Sequence, residues 1–183
     1  CSANLGFALM FRGRRRQADP WIRKSLEIAA TIGAQADEAY AHGVTGEALE
    51  IYGDYGAALR EASQCLSIAR RIGHREWTAL SLAVVGGVQR RCGQAQQALQ
   101  LHQEMLAISE EAGSTLWVAA ALGRLGEDYA QLGDEQRAAG LLADAIKASG
   151  EALKFGLGPM LAAADLELRC GRATGALERA RQL

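Results

Sequence analysis

The chain has 183 residues, 49% of them apolar, and its 20 Lys and Arg nearly balance its 21 Asp and Glu. This composition excludes a disordered chain and gives no general reason to expect a nucleic acid or an anionic membrane as partner. The longest strongly apolar runs are much shorter than the roughly 20 residues of a membrane-spanning helix, so we expect no membrane contact.

Apolar residues recur at three- and four-residue steps along the whole chain, the pattern of helices that each bury one face. Asp19 and Pro20 predict the start of the second helix, with Asp as N-cap and Pro at the first helical position. Near the end, residues 155–158 (Phe-Gly-Leu-Gly) predict an open connection in place of a tight turn. The predicted helices are 2–11, 20–32, 36–52, 55–72, 75–92, 95–112, 117–132, 135–153, 159–170 and 173–183.

Two series of glycines advance in steps of 40 residues: Gly13, Gly53, Gly93 and Gly133, and Gly33, Gly73 and Gly113. A fixed period of this length indicates stacked supersecondary units. We therefore predict an all-α fold of antiparallel helix pairs that forms a single repeat domain over residues 1–183. Its approximate units are 1–33, 34–73, 74–113, 114–156 and 157–183, and we expect it to be part of a longer polypeptide.

No motif for catalysis or metal binding is found in the sequence. HExxH, GxSxG and phosphate-loop patterns are absent, and we expect the histidines at exposed helix or turn positions. The cysteines have no metal-ligand spacing, so we interpret them as buried free thiols in a reducing, cytoplasmic compartment. We predict no enzyme, no cofactor and no metal site. The residues concerned are Cys1, Cys65, Cys92, Cys170, His42, His74 and His102.

Alignment on the glycines brings further residues into line. Leu125, Gly126 and Tyr129 precede Gly133, and Ala138 follows it. This order resembles the tetratricopeptide repeat, whose usual unit has about 34 residues. The 40-residue unit is similar to the longer variety found in scaffold proteins and in sensor arms of bacterial signalling and regulator proteins. The resemblance implies a right-handed superhelical solenoid that serves as an interaction module.

Glycines in the middle of the first helix of each pair are a second mark of the repeat. Such a glycine costs roughly 1 kcal/mol relative to Ala, so we expect close approach of the paired helix to offset the loss. The predicted small-residue contacts are Gly6, Gly46, Gly86 and Gly126 on the first helices and Ala58, Ala98 and Ala138 on the second.

The resemblance also implies that the first helices line a concave, partner-binding face. Side chains three before and one after the mid-helix glycine share that face, and none is the Lys or Asn that holds chaperone C-terminal carboxylates. We expect Arg90, Arg91 and Arg124 to meet an acidic group; the alternative is that these charges are merely solvated. The candidate partner-binding residues are Phe7, Tyr40, Glu47, Glu50, Arg90, Arg91, Arg124, Glu127 and Gln131.

Three functions remain open at this point. The first is a protein- or peptide-interaction module. The second is a ligand-sensing or regulatory arm of a larger bacterial signalling protein, such as an ATPase-type transcription regulator or a nucleotide cyclase; 17 Arg against 3 Lys suggests a GC-rich bacterial source. The third is self-association through open repeat ends. The basic run Arg14 to Arg16 is interpreted as a solvated turn, so we expect no nucleic-acid contact within this sequence.

Overall fold

The structure is a computed structural model that describes residues 2–149 and 153–180. In this part of the chain the regular elements are α-helices. They are α1 (Ser2–Phe11), α2 (Arg15–Ile32), α3 (Gln35–Ile51), α4 (Tyr55–Ile72), α5 (Arg75–Arg91), α6 (Ala95–Glu111), α7 (Thr115–Leu132), α8 (Glu135–Ser149), α9 (Leu153–Arg169) and α10 (Ala173–Ala180).

The predicted glycine turns end the helices. Gly33 has a φ of 68°, in the left-handed region that favours glycine. Its neighbour Ala34 donates its backbone N–H to the carbonyl of Ala29 at 2.9 Å, which closes the end of α2. Aspartates begin helices as predicted: Oδ1 of Asp54 accepts from the backbone N–H of Ala57 at 3.3 Å. Sequence therefore sets most helix ends to within one or two residues.

The predicted start of the second helix is wrong. Helix α2 begins at Arg15, so Pro20 lies inside it and Asp19 is not its cap. The start at Arg15 is 40 residues before the start of α4 at Tyr55. Burial explains the difference, because Ala18 is fully buried and lies 40 residues before Ala58, which is buried in the same way. Packing of the repeat outweighs the local preference of the Asp-Pro pair.

The open connection predicted at residues 155–158 is also wrong, because these residues belong to α9. Pro159 lies inside this helix and is buried against α7: a Cβ built on Gly123 would lie 2.8 Å from Cγ of Pro159. Contact with α7 thus helps to hold residues 155–158 in a helix, although their two glycines favour an irregular backbone. Residues 150–152, where the eighth helix was predicted to end, lie outside the described residues, as do 181–183.

The chain divides into two compact units, residues 1–88 and 89–183. The first has a core in which Met10, Ile22, Leu49 and Val84 pack with small residues of α2, α3 and α4. In the second, Leu142 and Leu166 pack with Ala130, Ala138 and Ala163. The predicted organisation as one domain of five units stays a prediction.

Mid-helix glycines bring paired helices to backbone contact within each unit. A Cβ at Gly46 would lie 3.3 Å from the carbonyl oxygen of Ala58, and one at Gly126 would lie 3.3 Å from that of Ala138. The equivalent partner of Gly6 is Ala18, whose carbonyl oxygen would be 3.5 Å away. The sequence prediction missed Ala18 because it started the second helix at Pro20. Ala18 nevertheless lies in register with Ala58 and Ala138.

Candidate functional site

A buried polar cluster lies in the second unit, at the end of α5 and on α6 and α7. We call it the Arg90 network; its members are Arg90, His102, Glu127, Asp128 and Gln131. Asp128 and the imidazole of His102 are completely buried, and Arg90 is only 8% exposed. Charged groups in such surroundings destabilise a fold unless they are paired.

The members of the network are paired with one another by hydrogen bonds and ion pairs. Oδ2 of Asp128 lies 2.5 Å from Nδ1 of His102, and its Oδ1 accepts from Nη1 of Arg90 at 3.3 Å. The second guanidinium nitrogen, Nη2, forms an ion pair with Oε2 of Glu127. Gln131 donates from Nε2 to the carbonyl of Arg90 at 3.1 Å. The last turn of α5 is thereby tied to α7, and α7 to α6.

Sequence reasoning missed two members of this network. Asp128 was not singled out, and His102 was expected at an exposed position, which is wrong because it is buried. His42 and His74 are half-buried, so they are not exposed either. Nδ1 of His42 lies 2.7 Å from Oε2 of Glu61. A signal was present in the sequence: a Glu-Asp pair on α7, Glu127 and Asp128, directly follows the mid-helix glycine.

In the second unit the structure gathers four of the predicted partner-binding residues. Arg90 is buried and ion-paired, whereas Arg124 and Glu127 are half-buried and Gln131 is exposed. The carbonyl of Arg124 lies 3.5 Å from Nη1 of Arg90. Arg91, the remaining predicted residue of this unit, is exposed. The accessible positive groups predicted here are therefore Arg91 and Arg124, while Arg90 has an internal role.

In the first unit, Phe7, Tyr40 and Glu47 are half-buried, but Glu50 is only 1% exposed. A Cβ built on Gly87 would lie 2.6 Å from Cδ of Glu50, so this carboxyl group is packed against the backbone of α5. Glu50 is thus an interior residue.

Tyr40 is held from two sides. Its hydroxyl donates to Oδ1 of Asn4 at 2.6 Å, and its ring lies 4.7 Å from that of Trp77. Burial, and secondarily the charge of Glu47, raises the pKa of Tyr40 above its ordinary value.

The expected partner-binding face is narrower than the helical spacing suggested. Positions three before the mid-helix glycine are buried in all four repeats: Ala3, Gly43, Ala83 and Gly123. A Cβ at Gly43 would lie 3.0 Å from Sγ of Cys65. These positions are interior. The helical spacing predicted them on the partner-binding face, but close packing against neighbouring helices buries them. Of the positions one after the glycine, Phe7, Glu47 and Glu127 stay partly open, whereas Gly87 is buried.

A cleft of about 370 Å³ opens in the first unit, and we call it the α1–α3 cleft. Ile28, Ala29 and Ile32 of α2 form its apolar wall. Asp37 and Tyr40 of α3 lie on another side. It is completed by Ser2, Ala3 and Asn4 of α1 and by Ser25 of α2.

The thiols differ in their surroundings. Cys65 is buried, and burial raises its pKa from 9.0 to about 11 despite hydrogen bonds with Ser81 and Gly43. Cys170 is half-buried and Cys92 is exposed, so the expectation of uniformly buried thiols is wrong. Among the described residues, no group of three or more His, Cys, Asp and Glu is placed to hold a metal ion. Within the same residues, no helix is long and apolar enough to cross a membrane.

Comparison with known proteins relates one stretch of the chain to a family. Residues 77–150 match the family model of the tetratricopeptide repeat. This stretch contains most of α5 and all of α6, α7 and α8, and so the complete Arg90 network. No curated protein matches the sequence.

Solved structures match over nearly the whole chain. The apo form of RapI has a TM-score of 0.64 at 17% identity, covering 99% of this chain and 52% of that one. The nearly identical TPR-like repeats of a kinesin light chain from Podosopora anserina match with a TM-score of 0.64 at 18% identity. The match covers 99% of this chain and 90% of that one. A third match is a signal transduction ATPase with numerous domains and a tetratricopeptide repeat sensor, from Pyrococcus horikoshii. Its TM-score is 0.64 at 20% identity, and the match covers 99% of this chain and 28% of that one.

The chain therefore spans about half the length of RapI and less than a third of the ATPase. At these identities the likeness establishes the fold and leaves activity open. The predicted fold class is confirmed as all-α helix pairs of the solenoid type found in these neighbours. The family match assigns residues 77–150 to the tetratricopeptide repeat, and the chain has the fold of TPR-like repeat proteins.

Proposed function

We propose that this chain is a protein- or peptide-interaction module, and that its second unit binds an acidic segment of a partner. The observation that carries the proposal is the Arg90 network, which positions the partly open residues of α7 inside the matched repeat region. Tetratricopeptide repeats generally act as interaction scaffolds without catalytic activity, and stacked repeats are well suited to binding an extended segment.

The network supplies preorganisation. Arg90 contacts α7 through Asp128, Glu127 and Gln131, so the backbone of α7 is fixed beside the end of α5 before any partner arrives. A surface whose side chains are already ordered loses less conformational entropy when it binds. This favours binding through α7 over binding through the less constrained turns.

The charges favour an acidic segment. Glu127 is ion-paired to Arg90, so its negative charge is compensated internally. Arg124 is half-buried and Arg91 is exposed, and both are positively charged. Guanidinium groups bind carboxylates in bidentate geometry. Gln131, which is exposed, adds hydrogen-bonding capacity to the same helix.

A titration with labelled peptides tests the proposal. Fluorescence anisotropy is measured with a fluorescein-labelled peptide of alternating Glu and Ala, and with its Lys-Ala counterpart, at low and at physiological salt. We expect saturable binding of the acidic peptide only. We expect Arg124→Glu to weaken it about tenfold, which corresponds to about 1.4 kcal/mol.

Lys147→Glu is the matched control, because it makes the same charge change at an exposed position of α8. It should leave the affinity nearly unchanged. Equal weakening by both variants would show general charge attraction and contradict the proposed surface. Failure of the acidic peptide to bind at low salt would contradict it as well.

A second candidate is a regulatory or ligand-sensing arm of a larger signalling protein, such as an ATPase-type transcription regulator or a nucleotide cyclase. The likeness to the Pyrococcus horikoshii ATPase, whose repeats are described as a sensor, favours it. The sequence of the full gene product tests it. A nucleotide-binding loop or a DNA-binding helix pair beside this segment would support the sensor, and flanks made only of further repeats would count against it.

Self-association is a further proposal for the partner. Leu161 and Leu168 of α9 and Leu177 of α10 are each more than half exposed, and exposed apolar side chains favour association. Light scattering over a range of concentrations tests it, and a constant monomer mass would contradict it.

A further inference from the structure

The α1–α3 cleft has a counterpart one repeat later that is filled. Forty residues after Ser25, Ile28 and Asp37 come Cys65, Ile68 and Trp77. Trp77 packs against the cluster that contains Cys65 and Ile68. Its ring also stacks on His74, with ring centroids 4.8 Å apart. In the second repeat, this position in the fold therefore holds an indole ring.

The first repeat has the same wall without the ring. Asp37 stands where Trp77 stands in the next repeat, and a carboxylate cannot cover the aliphatic side chains behind it. Ile28 is 45% exposed, whereas Ile68, which packs with Trp77 and also with Ala39 of α3, is 6% exposed. Ile32, at the edge of the cleft, is 69% exposed. Ile28 is thus an apolar residue whose counterpart one repeat later is buried beside an aromatic ring, whereas Ile72, the counterpart of Ile32, is itself 36% exposed.

We propose that the α1–α3 cleft binds an aromatic side chain, best an indole, that a partner protein presents beside a basic residue. The apolar wall of Ile28, Ala29 and Ile32 supplies the buried contact. Tyr40 lines the cleft and already makes a ring contact with Trp77, so an aromatic wall is in place for a second ring. The carboxylate of Asp37 is exposed in the cleft lining and selects a neighbouring cation.

This site is separate from the surface proposed on α7, since all its residues belong to the first unit. The acidic peptide used to test the α7 surface carries no aromatic group. The two proposals can therefore fail independently.

The test is an NMR titration of the full chain, labelled with ¹⁵N, with an acetylated and amidated pentapeptide, Gly-Lys-Trp-Lys-Gly. We expect saturable shifts of the amide signals of Ser25, Ile28, Ile32 and Asp37. The same peptide with Ala in place of Trp should give none. Shifts of equal size at the exposed Leu161, Leu168 and Leu177 would show unspecific apolar contact and overturn the proposal.

Variants of the cleft sharpen the result. Asp37→Trp supplies the ring from the chain itself and should weaken peptide binding at least about tenfold. Ile28→Gln, at a position that is already half exposed, should do the same without filling the cleft. Asp37→Asn should keep the preference for Trp over Ala and weaken binding about threefold at low salt, the effect of one exposed charge pair.

Leu161→Gln serves as the control, since it changes an exposed apolar residue of the second unit. It should bind the peptide like the parent chain. Unchanged affinity in both Ile28→Gln and folded Asp37→Trp would overturn the proposal. So would shifts of Ser25, Ile28 and Asp37 on raising the concentration of the chain alone, because a second copy would then be the occupant.

Discussion

Nδ1 of His102 lies 2.5 Å from Oδ2 of Asp128, and neither side chain is exposed to solvent. A carboxylate oxygen accepts hydrogen bonds, so in this pair Nδ1 of His102 is the donor. Because Oδ1 of Asp128 also accepts from Arg90, a single carboxylate on α7 joins α6 to the end of α5. We therefore expect the stability of the second unit to depend on Asp128.

Replacing Asp128 by Ala should destabilise the chain by about 3–5 kcal/mol, because the guanidinium of Arg90 and the imidazole of His102 would keep their burial and lose a partner. Chemical denaturation followed by circular dichroism measures the effect. Asp144→Ala, at an exposed position of α8, is the control and should change stability by less than about 0.5 kcal/mol. Similar midpoints for the two variants would show that the network adds no net stability.

Gly126→Leu should cost about 1–3 kcal/mol through overpacking. A Cβ at Gly126 would lie 2.7 Å from Cγ of Leu142, which is buried, and 3.3 Å from the carbonyl oxygen of Ala138. The same substitution at Gly140, where no atom lies within 4 Å of a Cβ, should instead stabilise α8 by up to about 1 kcal/mol through helix propensity. Thermal melts distinguish the two, and a loss of stability in both variants would contradict the packing described here.

Pro20→Ala should stabilise the chain by about 2 kcal/mol. Inside α2, Pro20 lacks the N–H that would bond to the carbonyl of Arg16, and Ala restores it. Pro159→Ala restores a similar bond in α9 but removes a buried contact with Gly123, so its gain should be smaller. Denaturation midpoints measure both. A loss of stability in Pro20→Ala would favour a helix that starts at residue 20, as the sequence suggested.

Stability should fall between about pH 9 and pH 11 because of Cys65. Its pKa rises from 9.0 in the unfolded chain to about 11 in the folded one, so the folded state favours the neutral thiol. This contribution is fully present below pH 9 and is lost as the pH rises through the folded pKa, by about 2–3 kcal/mol in total.

The measurement compares the pH dependence of unfolding of the parent chain with that of Cys65→Ala, since other groups titrate in the same range. The variant should lose stability less steeply with pH. At pH 8, mass-spectrometric mapping after a short maleimide treatment should find label on the exposed Cys92 and not on Cys65. Rapid labelling of Cys65 in the folded chain would contradict its burial.

Periodicity predicted the helices well because each turn carries its own local signal. Gly33, Gly73 and Gly133 adopt positive φ and end their helices, a property that glycine shows without tertiary context. The two errors, at Pro20 and at residues 155–158, occur where local preference competes with burial of Ala18 and Pro159. Such competition is decided by contacts between helices, which a single helix pattern does not contain.

The site residues were harder to predict for a physical reason. Helical spacing identified the side of α7 that carries Arg124 and Glu127, but it could not tell that Arg90 would be internally paired. Asp128 and His102 lie on different helices, and only their packing brings the two side chains together. The α1–α3 cleft could have been found in the sequence, since Asp37 replaces a Trp at the repeat spacing. That comparison needs the correct register of α2.

Because Tyr40 contacts Trp77, the intrinsic fluorescence of Trp77 can report on ligand binding in the α1–α3 cleft. Indole emission responds to the surroundings of the ring, and Trp77 touches the same tyrosine that lines the α1–α3 cleft. With Trp21 and Trp117 replaced by Phe, the remaining emission comes from Trp77 alone. Occupation of the cleft by a ligand without tryptophan can then be followed at micromolar protein, with no dye attached.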